Sequence, residues 1–191
     1  MIAFTGLFVA CCWMILFVYM IFAAFRARCT IESDRRWNWS WLVLVLIVAA
    51  FALLRDEGHL PAYATSMDLP RTPIFGLGAD ILALAGLFVA MWGRVALGRN
   101  WNLYPSFQEN HELIRSGPYA YVRHPMYSGL CLMFLGTVIW YGAGFGFILF
   151  VAGLLGTWFK LRQEETILTS HFGAAYSSYK QQVKALIPFV L

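Results

Sequence analysis

Long apolar blocks separated by short polar segments dominate the chain. The blocks cover residues 2–25, 39–54 and 74–97, and a longer run covers residues 126–159. A helix needs about 20 apolar residues to cross the hydrocarbon core of a bilayer, so the first and third blocks predict membrane-spanning helices. The second block is shorter, but the tryptophans around its start are typical of a membrane interface. We expect it to span the membrane as well.

The run over residues 126–159 is too long for one spanning helix. At 1.5 Å per residue, a single helix of this length would reach about 50 Å, well beyond an apolar core of about 30 Å. Three glycines lie near its middle, within residues 141–146, and glycine permits a tight turn. We therefore expect two antiparallel spans, over about residues 126–140 and 145–159.

The tail, residues 160–191, follows the last span. We expect the last helix to continue into the tail, and an amphipathic helix there to lie at the membrane interface. The side chains that define its apolar face are Leu161, Ile167, Leu168, Phe172, Tyr176, Tyr179 and Val183. The predicted class is an all-α membrane protein with about five transmembrane helices, in a single structural domain.

Composition supports this class. Of the 191 residues, 60% are hydrophobic and only 13% are charged, whereas soluble domains have about 25% charged residues. The net charge of +4 needs no nucleic acid to explain it, because membrane proteins concentrate Lys and Arg in the cytoplasm. The four cysteines form no metal-binding pattern. We predict neither nucleic acid nor a metal as a partner.

The distribution of Lys and Arg predicts the orientation of the chain. Basic residues are concentrated after the first and third blocks and in the tail, whereas the other side carries only Arg55 and Arg71. This bias places the N-terminus outside and the tail in the cytoplasm. Asp80, within the third block, is in an unusual place for a carboxylate. It either sits near the outer interface, or pairs with Arg94 or a polar cavity.

A dense polar and aromatic segment, residues 116–129, precedes the long apolar run. Pro125 suits the first turn of a helix. Arg123 and His124 would then lie at the helix N-terminus, where unpaired N–H groups attract anions, and Tyr127 would follow on the first turn. These residues are either an interfacial anchor or part of a binding site.

A second polar cluster closes the same run at Glu164 and Glu165. Lys160 lies four residues before Glu164, and Arg162 lies three residues before Glu165, so two ordinary surface ion pairs are one interpretation. The other is a cation for an anionic substrate beside an anion for a cationic cofactor.

Taken together, these clusters resemble the isoprenylcysteine carboxyl methyltransferase family and its phospholipid methyltransferase relatives. The resemblance covers about residues 97–191, so residues 98–191 form the predicted catalytic region and residues 1–97 a three-span N-terminal region. The motifs that carry it are residues 97–101, 111–119, 122–129, 164–168, 172–179 and 186–189.

The resemblance implies that S-adenosylmethionine binds to this region. By position in the motifs, its contacts fall on His111, Glu112, Leu113, Ile114, Tyr119, His124, Pro125, Met126, Tyr127 and Glu164. The family holds the substrate carboxylate with an Arg one turn before the first Glu. Here that position is Lys160, and Arg162 follows two residues later, so either cation is a candidate for this catalytic role.

The predicted function is S-adenosylmethionine-dependent methylation of a carboxylate on a lipophilic, isoprenylcysteine-like substrate. We expect a multi-pass membrane protein with a cytoplasmic site, in the plasma membrane if the source is a bacterium, with lipidated substrate and membrane lipid as partners. The alternatives are a lipid amine N-methyltransferase and a non-catalytic membrane protein that binds a lipid or a partner.

Overall fold

The structure is a computed structural model, and it describes residues 2–25, 32–33, 69–70, 72–98, 106–107, 113–141 and 143–190. Within these ranges the chain is helical apart from loops and two very short strands. The helices are α1 (Ile2–Phe25), α2 (Pro73–Leu97), a 3-10 helix (Gly117–Ala120), α3 (Pro125–Tyr141), α4 (Ala143–Phe172) and α5 (Ala174–Gln182). The strands β1 (Glu32–Ser33) and β2 (Ser106–Phe107) pair antiparallel. The predicted all-α class is confirmed, and the predicted span over residues 39–54 lies outside the described residues.

Two of these helices are long and apolar enough to cross a membrane. They cover Phe4–Ala23 and Pro73–Leu97, and only 22% and 33% of their most apolar stretches are buried inside the molecule. Large apolar side chains such as Phe17 and Phe88 are exposed. A water-soluble core helix would bury most of this surface, so the exposure fits contact with lipid. Helix α3 is apolar but shorter.

Helices α2 and α3 touch through their backbones. A Cβ atom on Gly86 would lie 2.5 Å from the carbonyl oxygen of Gly129, and one on Gly129 would lie 2.5 Å from the carbonyl oxygen of Gly86. Small residues at such a crossing let two membrane helices approach closely. The close contact between α2 and α3 continues to Gly93, where a Cβ would lie 3.1 Å from Pro125. The start of α3 is therefore held against the last turns of α2.

Helix α1 packs on this pair through Val9, Cys12 and Leu16, which share a buried cluster with Met133 of α3. Two polar contacts join the same helices. Trp13 donates to Thr137 over 2.9 Å, and Thr5 donates to Asp80 over 3.3 Å.

The partner of Asp80 in the described chain is thus Thr5, and the alternative of an Asp80–Arg94 pair is wrong. The two residues lie on one helix but about 21 Å apart along its axis at 1.5 Å per residue.

Helix α4 joins the predicted last span to the start of the tail, as expected. The apolar face predicted from Leu161 to Val183 is divided between two helices, however, because one helix stops at Phe172 and a new one begins at Ala174. Gly173 between them has φ 55°, a conformation that glycine adopts without the steric cost of a Cβ. Directly after α5 the backbone is extended at Val183, and Val122 and Lys184 form a parallel bridge.

Candidate active site

The segment before α3 is fixed by main-chain contacts to the tail. The N–H of Arg123 donates to the carbonyl of Lys184 over 2.8 Å, and the N–H of His124 donates to the carbonyl of Ala185 over 3.0 Å. One turn later the Ser128 hydroxyl donates to the carbonyl of Leu186 over 2.6 Å. These hydrogen bonds therefore fix the Arg-His-Pro motif against the tail.

Glu165 lies at the centre of a buried ionic cluster. Nε and Nη2 of Arg123 lie 2.9 Å and 2.5 Å from its Oε1 atom, and Nζ of Lys180 lies 2.8 Å from Oε2. Nε2 of His124 lies 3.5 Å from Oε1. Burial alone raises the pKa of Glu165, but the hydrogen bonds from His124, Lys180 and Arg123 outweigh it and lower this pKa to about 2. Glu165 is therefore a buried anion clamped between two cations.

Arg123 also fastens the tail directly. Its Nη1 atom donates to the carbonyl oxygens of Lys180 and Val183. The guanidinium thus joins the start of α3, helix α4 and helix α5. A single arginine with several donors in a planar fork can serve so many acceptors at once.

Glu164, the neighbouring residue, faces a different group of side chains. The Tyr127 hydroxyl donates to its Oε2 atom over 2.9 Å. The Tyr127 ring stacks on His124 with centroids 5.7 Å apart, and Nζ of Lys160 lies 5.6 Å from the centre of the same ring. Burial lowers the pKa of Lys160, whereas the nearby Glu164 carboxylate raises it. An aromatic ring, an anion and a half-buried cation therefore share one small region.

Tyr119 closes this region from the 3-10 helix. It is buried, its hydroxyl lies 3.4 Å from the carbonyl of Gly93 in α2, and its own carbonyl accepts a 2.5 Å hydrogen bond from Tyr179. Burial, and then the charge of Glu164, raise the pKa of Tyr119 well above its ordinary value. Tyr119 is therefore a neutral phenol close enough to Glu164 to feel its charge.

The structure brings together five of the cofactor positions implied by the family resemblance, namely Tyr119, His124, Pro125, Tyr127 and Glu164. Leu113 and Ile114, which precede Tyr119 in the sequence, are half-buried. Met126 instead packs on α2, because its Cγ lies 3.0 Å from a Cβ built on Gly93. His111 and Glu112 lie outside the described residues.

The two candidate cations for the substrate differ in position. Lys160 lies beside Tyr127 and Glu164, as described above. Arg162 is exposed, and its guanidinium lies over the Trp158 ring, 4.6 Å from its centre. The predicted surface ion pair between Arg162 and Glu165 is wrong, because Glu165 is buried and paired with Arg123 and Lys180.

The sequence did not predict that Arg123, Glu165 and Lys180 form one ionic cluster. Spacing along a helix suggested a partner three residues before Glu165, whereas Arg123 is 42 residues away. One signal was available: Leu161 lies one turn before Glu165, on the same face of α4. Leu161 is 1% exposed and Glu165 is 2% exposed. Because Glu165 continues the buried face of Leu161, its carboxylate needs charged partners from other elements.

Known proteins resemble this chain in sequence. Residues 75–175, more than half of the chain, match the sequence profile of the phospholipid methyltransferase family. A protein-S-isoprenylcysteine O-methyltransferase of Schizosaccharomyces pombe is 38% identical over 84 residues, which are 43% of this chain and 35% of that protein. A probable protein-S-isoprenylcysteine O-methyltransferase of Oryza sativa subsp. indica is 26% identical over 176 residues, which are 90% of this chain and 88% of that protein. The chain therefore spans about a third of the fission yeast protein and most of the rice protein.

The fold is similar to the solved structure of a eukaryotic intramembrane Ras methyltransferase, ICMT (isoprenylcysteine carboxyl methyltransferase). The TM-score is 0.54 with 21% identity, over 82% of this chain and 54% of that chain. At this identity the likeness supports the fold alone.

The fold and the matches define an all-helical protein in which, among the described residues, two helices are long and apolar enough to cross a membrane. More narrowly, the chain belongs to the phospholipid methyltransferase family. The resemblance predicted from the sequence is confirmed.

Proposed function

We propose that the chain is an S-adenosylmethionine-dependent methyltransferase that acts on the carboxylate of a lipophilic, isoprenylcysteine-like acceptor. The observation that carries this proposal is the half-buried ammonium of Lys160 beside Tyr127 and Glu164. The curated relatives named above are protein-S-isoprenylcysteine O-methyltransferases, which supports the same substrate class.

The side chains of the site suit a sulfonium cofactor. Glu164 supplies an anion for a cationic group, and Tyr127 and Tyr119 supply aromatic surface, which attracts cations through its π face. His124 carries a buried imidazole ring that stacks on Tyr127. These groups would hold the cofactor, together with His111, Glu112, Leu113 and Ile114 from the preceding segment.

When bound, S-adenosylmethionine supplies an electrophilic methyl group on a positively charged sulfur. Lys160 would hold the acceptor carboxylate through a charge-assisted contact, so that one oxygen is directed to the methyl carbon. Burial of the site would strip water from that oxygen, which raises its reactivity and favours alignment of the reacting atoms. The reaction needs no proton transfer at the acceptor, because the carboxylate already carries the electron pair that forms the new bond.

A lipid amine is the second candidate acceptor, since the matching family is described as phospholipid methyltransferase. The position of Lys160 argues against it. An ammonium near the acceptor would repel a cationic headgroup and attract a carboxylate. A like charge placed against a substrate is a common device for rejecting the wrong one.

The arrangement also supports a proposed topology. We propose five spans, with residues 1–97 as a three-span region and residues 98–191 as the catalytic region of one structural domain. The tail and the site would face the cytoplasm. The basic residues that fasten the tail, Arg123 and Lys180, lie on the side of the chain where Lys and Arg are concentrated.

Methyl transfer by the purified protein tests the proposal. Labelled S-adenosylmethionine is incubated with the protein in lipid nanodiscs and with an N-acetyl prenylcysteine, its carboxamide analogue or phosphatidylethanolamine. We expect label only in the prenylcysteine, as a base-labile methyl ester. Label in the phosphatidylethanolamine would replace the proposal with the amine reaction, and no label in any acceptor despite cofactor binding would contradict both.

A further inference from the structure

The two adjacent glutamates of α4 serve different neighbours. Successive residues of an α-helix point about 100° apart, so Glu164 and Glu165 cannot both face one pocket. Glu164 accepts from Tyr127, whereas Glu165 binds Arg123 and Lys180 and lies next to His124. A direct role in holding the cofactor therefore suits Glu164, and another role is left for Glu165.

We propose that Glu165 is a positioning residue that acts through His124. Its carboxylate keeps the proton of the neutral imidazole on Nε2, so that Nδ1 offers a lone pair to a hydrogen-bond donor of the cofactor. This inference rests on the proposed function, since it concerns the same cofactor site.

The geometry around His124 supports this tautomer. Nε2 is buried and lies 3.5 Å from Oε1 of Glu165. A ring nitrogen lone pair in that position would face a carboxylate oxygen and be repelled, whereas an N–H would be attracted. The partner of one ring nitrogen determines which nitrogen carries the proton. The ring is held in this orientation by its stacking on Tyr127 and by the main-chain bond from His124 to Ala185.

The charges of the cluster explain why this matters for a sulfonium ligand. S-adenosylmethionine carries a sulfonium, an ammonium and an adenine amino group beside a single carboxylate, so three of its polar groups need an anion or a hydrogen-bond acceptor. Arg123 next to His124 would repel such a ligand if its charge were uncompensated. Glu165 neutralises the charge of Arg123. At the same time it makes Nδ1 of His124 a hydrogen-bond acceptor, so that His124 and Glu164 both present acceptors to the cofactor.

The tautomer can be measured in the wild-type protein. The full chain is labelled with 15N-histidine, and the ring nitrogens of His124 are assigned by comparison with a His124→Gln sample. At about pH 8, above the ordinary histidine pKa, we expect Nε2 to carry the proton and Nδ1 to be bare. A proton on Nδ1 in the wild-type protein would overturn the proposal, whatever the variants do.

Three variants separate positioning from simple fastening of the tail. Glu165→Met removes the acceptor, and we expect loss of the Nε2–H preference and about tenfold weaker binding of S-adenosylmethionine by calorimetry, equivalent to about 1.4 kcal/mol. Glu165→Gln keeps an amide oxygen near Arg123 and His124, so it should retain the tautomer, and it should weaken binding less than Glu165→Met does, because only the charge of Arg123 is left uncompensated. Lys180→Met breaks only the tail contact, and should leave the His124 spectrum unchanged.

The outcomes distinguish this inference from the proposed function. If Lys180→Met and Glu165→Met weaken binding equally and neither alters the His124 spectrum, Glu165 only fastens the tail and the inference is wrong. If the wild-type protein binds no S-adenosylmethionine at all, the proposed function fails instead.

Discussion

Tyr127 donates a 2.9 Å hydrogen bond to Glu164, although 37 residues separate them in the chain. The bond joins the first turn of α3 to the end of the apolar part of α4. Two motifs that frame a long apolar run in the sequence are thereby brought into contact by a helical hairpin. The same tyrosine ring lies against His124 and Lys160, so one side chain touches both proposed halves of the site.

Tyr127→Phe should weaken cofactor binding more than it alters the fold. The variant keeps the ring and removes one charge-assisted hydrogen bond, which is worth about 1.5–3 kcal/mol. We expect about a tenfold or greater rise in the Kd for S-adenosylmethionine, because Glu164 loses the group that orients it. Calorimetry on Tyr127→Phe, Glu164→Gln and the double variant checks this as a cycle. If the losses of binding free energy in the two single variants add up to the loss in the double variant, Tyr127 and Glu164 act independently.

Gly86→Ala should destabilise the helix pair, and Gly78→Ala on the same helix is its matched control. A Cβ on Gly86 would lie 2.5 Å from the backbone of Gly129 and 2.7 Å from Met133, whereas a Cβ on Gly78 meets nothing within 4 Å. Overpacking typically costs about 1–3 kcal/mol, while alanine at an open helix position is neutral or mildly favourable. Thermal unfolding in detergent compares the two. Equal Tm values for both variants would contradict the backbone contact.

Much of the membrane architecture could be predicted because lipid imposes long apolar helices. The predicted spans over residues 2–25 and 74–97 agree closely with helices α1 and α2, and the break expected within residues 141–146 agrees with the end of α3 at Tyr141 and the start of α4 at Ala143. The tail could not be predicted as well. Its break depends on the positive φ of Gly173, a single backbone choice that leaves no trace in the hydrophobic pattern.

The proximity of several motif residues could be predicted from the sequence, but their pairings could not. Motif positions singled out His124, Tyr127 and Glu164, and the fold brings these together. Short-range spacing favoured a partner for Glu165 on its own helix, whereas burial selected Arg123 from another element. A buried carboxylate is costly unless cations lie close to it, and sequence distance carries no information about which cations these are.

The stability of the fold should depend on the ionisation of Glu165. The pKa of Glu165 is lowered from 4.5 to about 2 in the folded protein. A depressed carboxyl pKa contributes stability that is present above the unfolded value and is lost as the pH falls towards the folded value. The window is therefore about pH 4.5 down to 2.

Comparison of wild type with Glu165→Gln measures this contribution. We expect the wild type to have the higher Tm above about pH 5 and the gap to shrink steadily below it. Intrinsic tryptophan fluorescence during heating in detergent provides the readout. A gap that stays constant from about pH 6 to pH 3 would mean that the ionised form of Glu165 adds nothing to stability.

Lys160 and Arg162 should differ sharply in their effect on the acceptor. They point about 200° apart on α4, and the structure places Lys160 beside Tyr127 and the exposed Arg162 over the half-buried ring of Trp158. Removal of a charge-assisted contact to the acceptor costs about 1.5–3 kcal/mol, or about 10- to 100-fold in kcat/KM at 1.4 kcal/mol per decade. We expect that loss for Lys160→Met and less than about threefold for Arg162→Met.

The same pair of variants separates the acceptor from the cofactor. Lys160→Met should leave the Kd for S-adenosylmethionine nearly unchanged or slightly improved, since it removes a positive charge near a cationic ligand. Lys160→Arg restores a cation and supplies a planar fork that suits a carboxylate, so it should recover most of the activity. Initial rates with a prenylcysteine acceptor, together with calorimetry for the cofactor, measure both quantities. If Arg162→Met proves the more damaging variant, or if Lys160→Met abolishes cofactor binding, then Lys160 is not the group that holds the acceptor carboxylate.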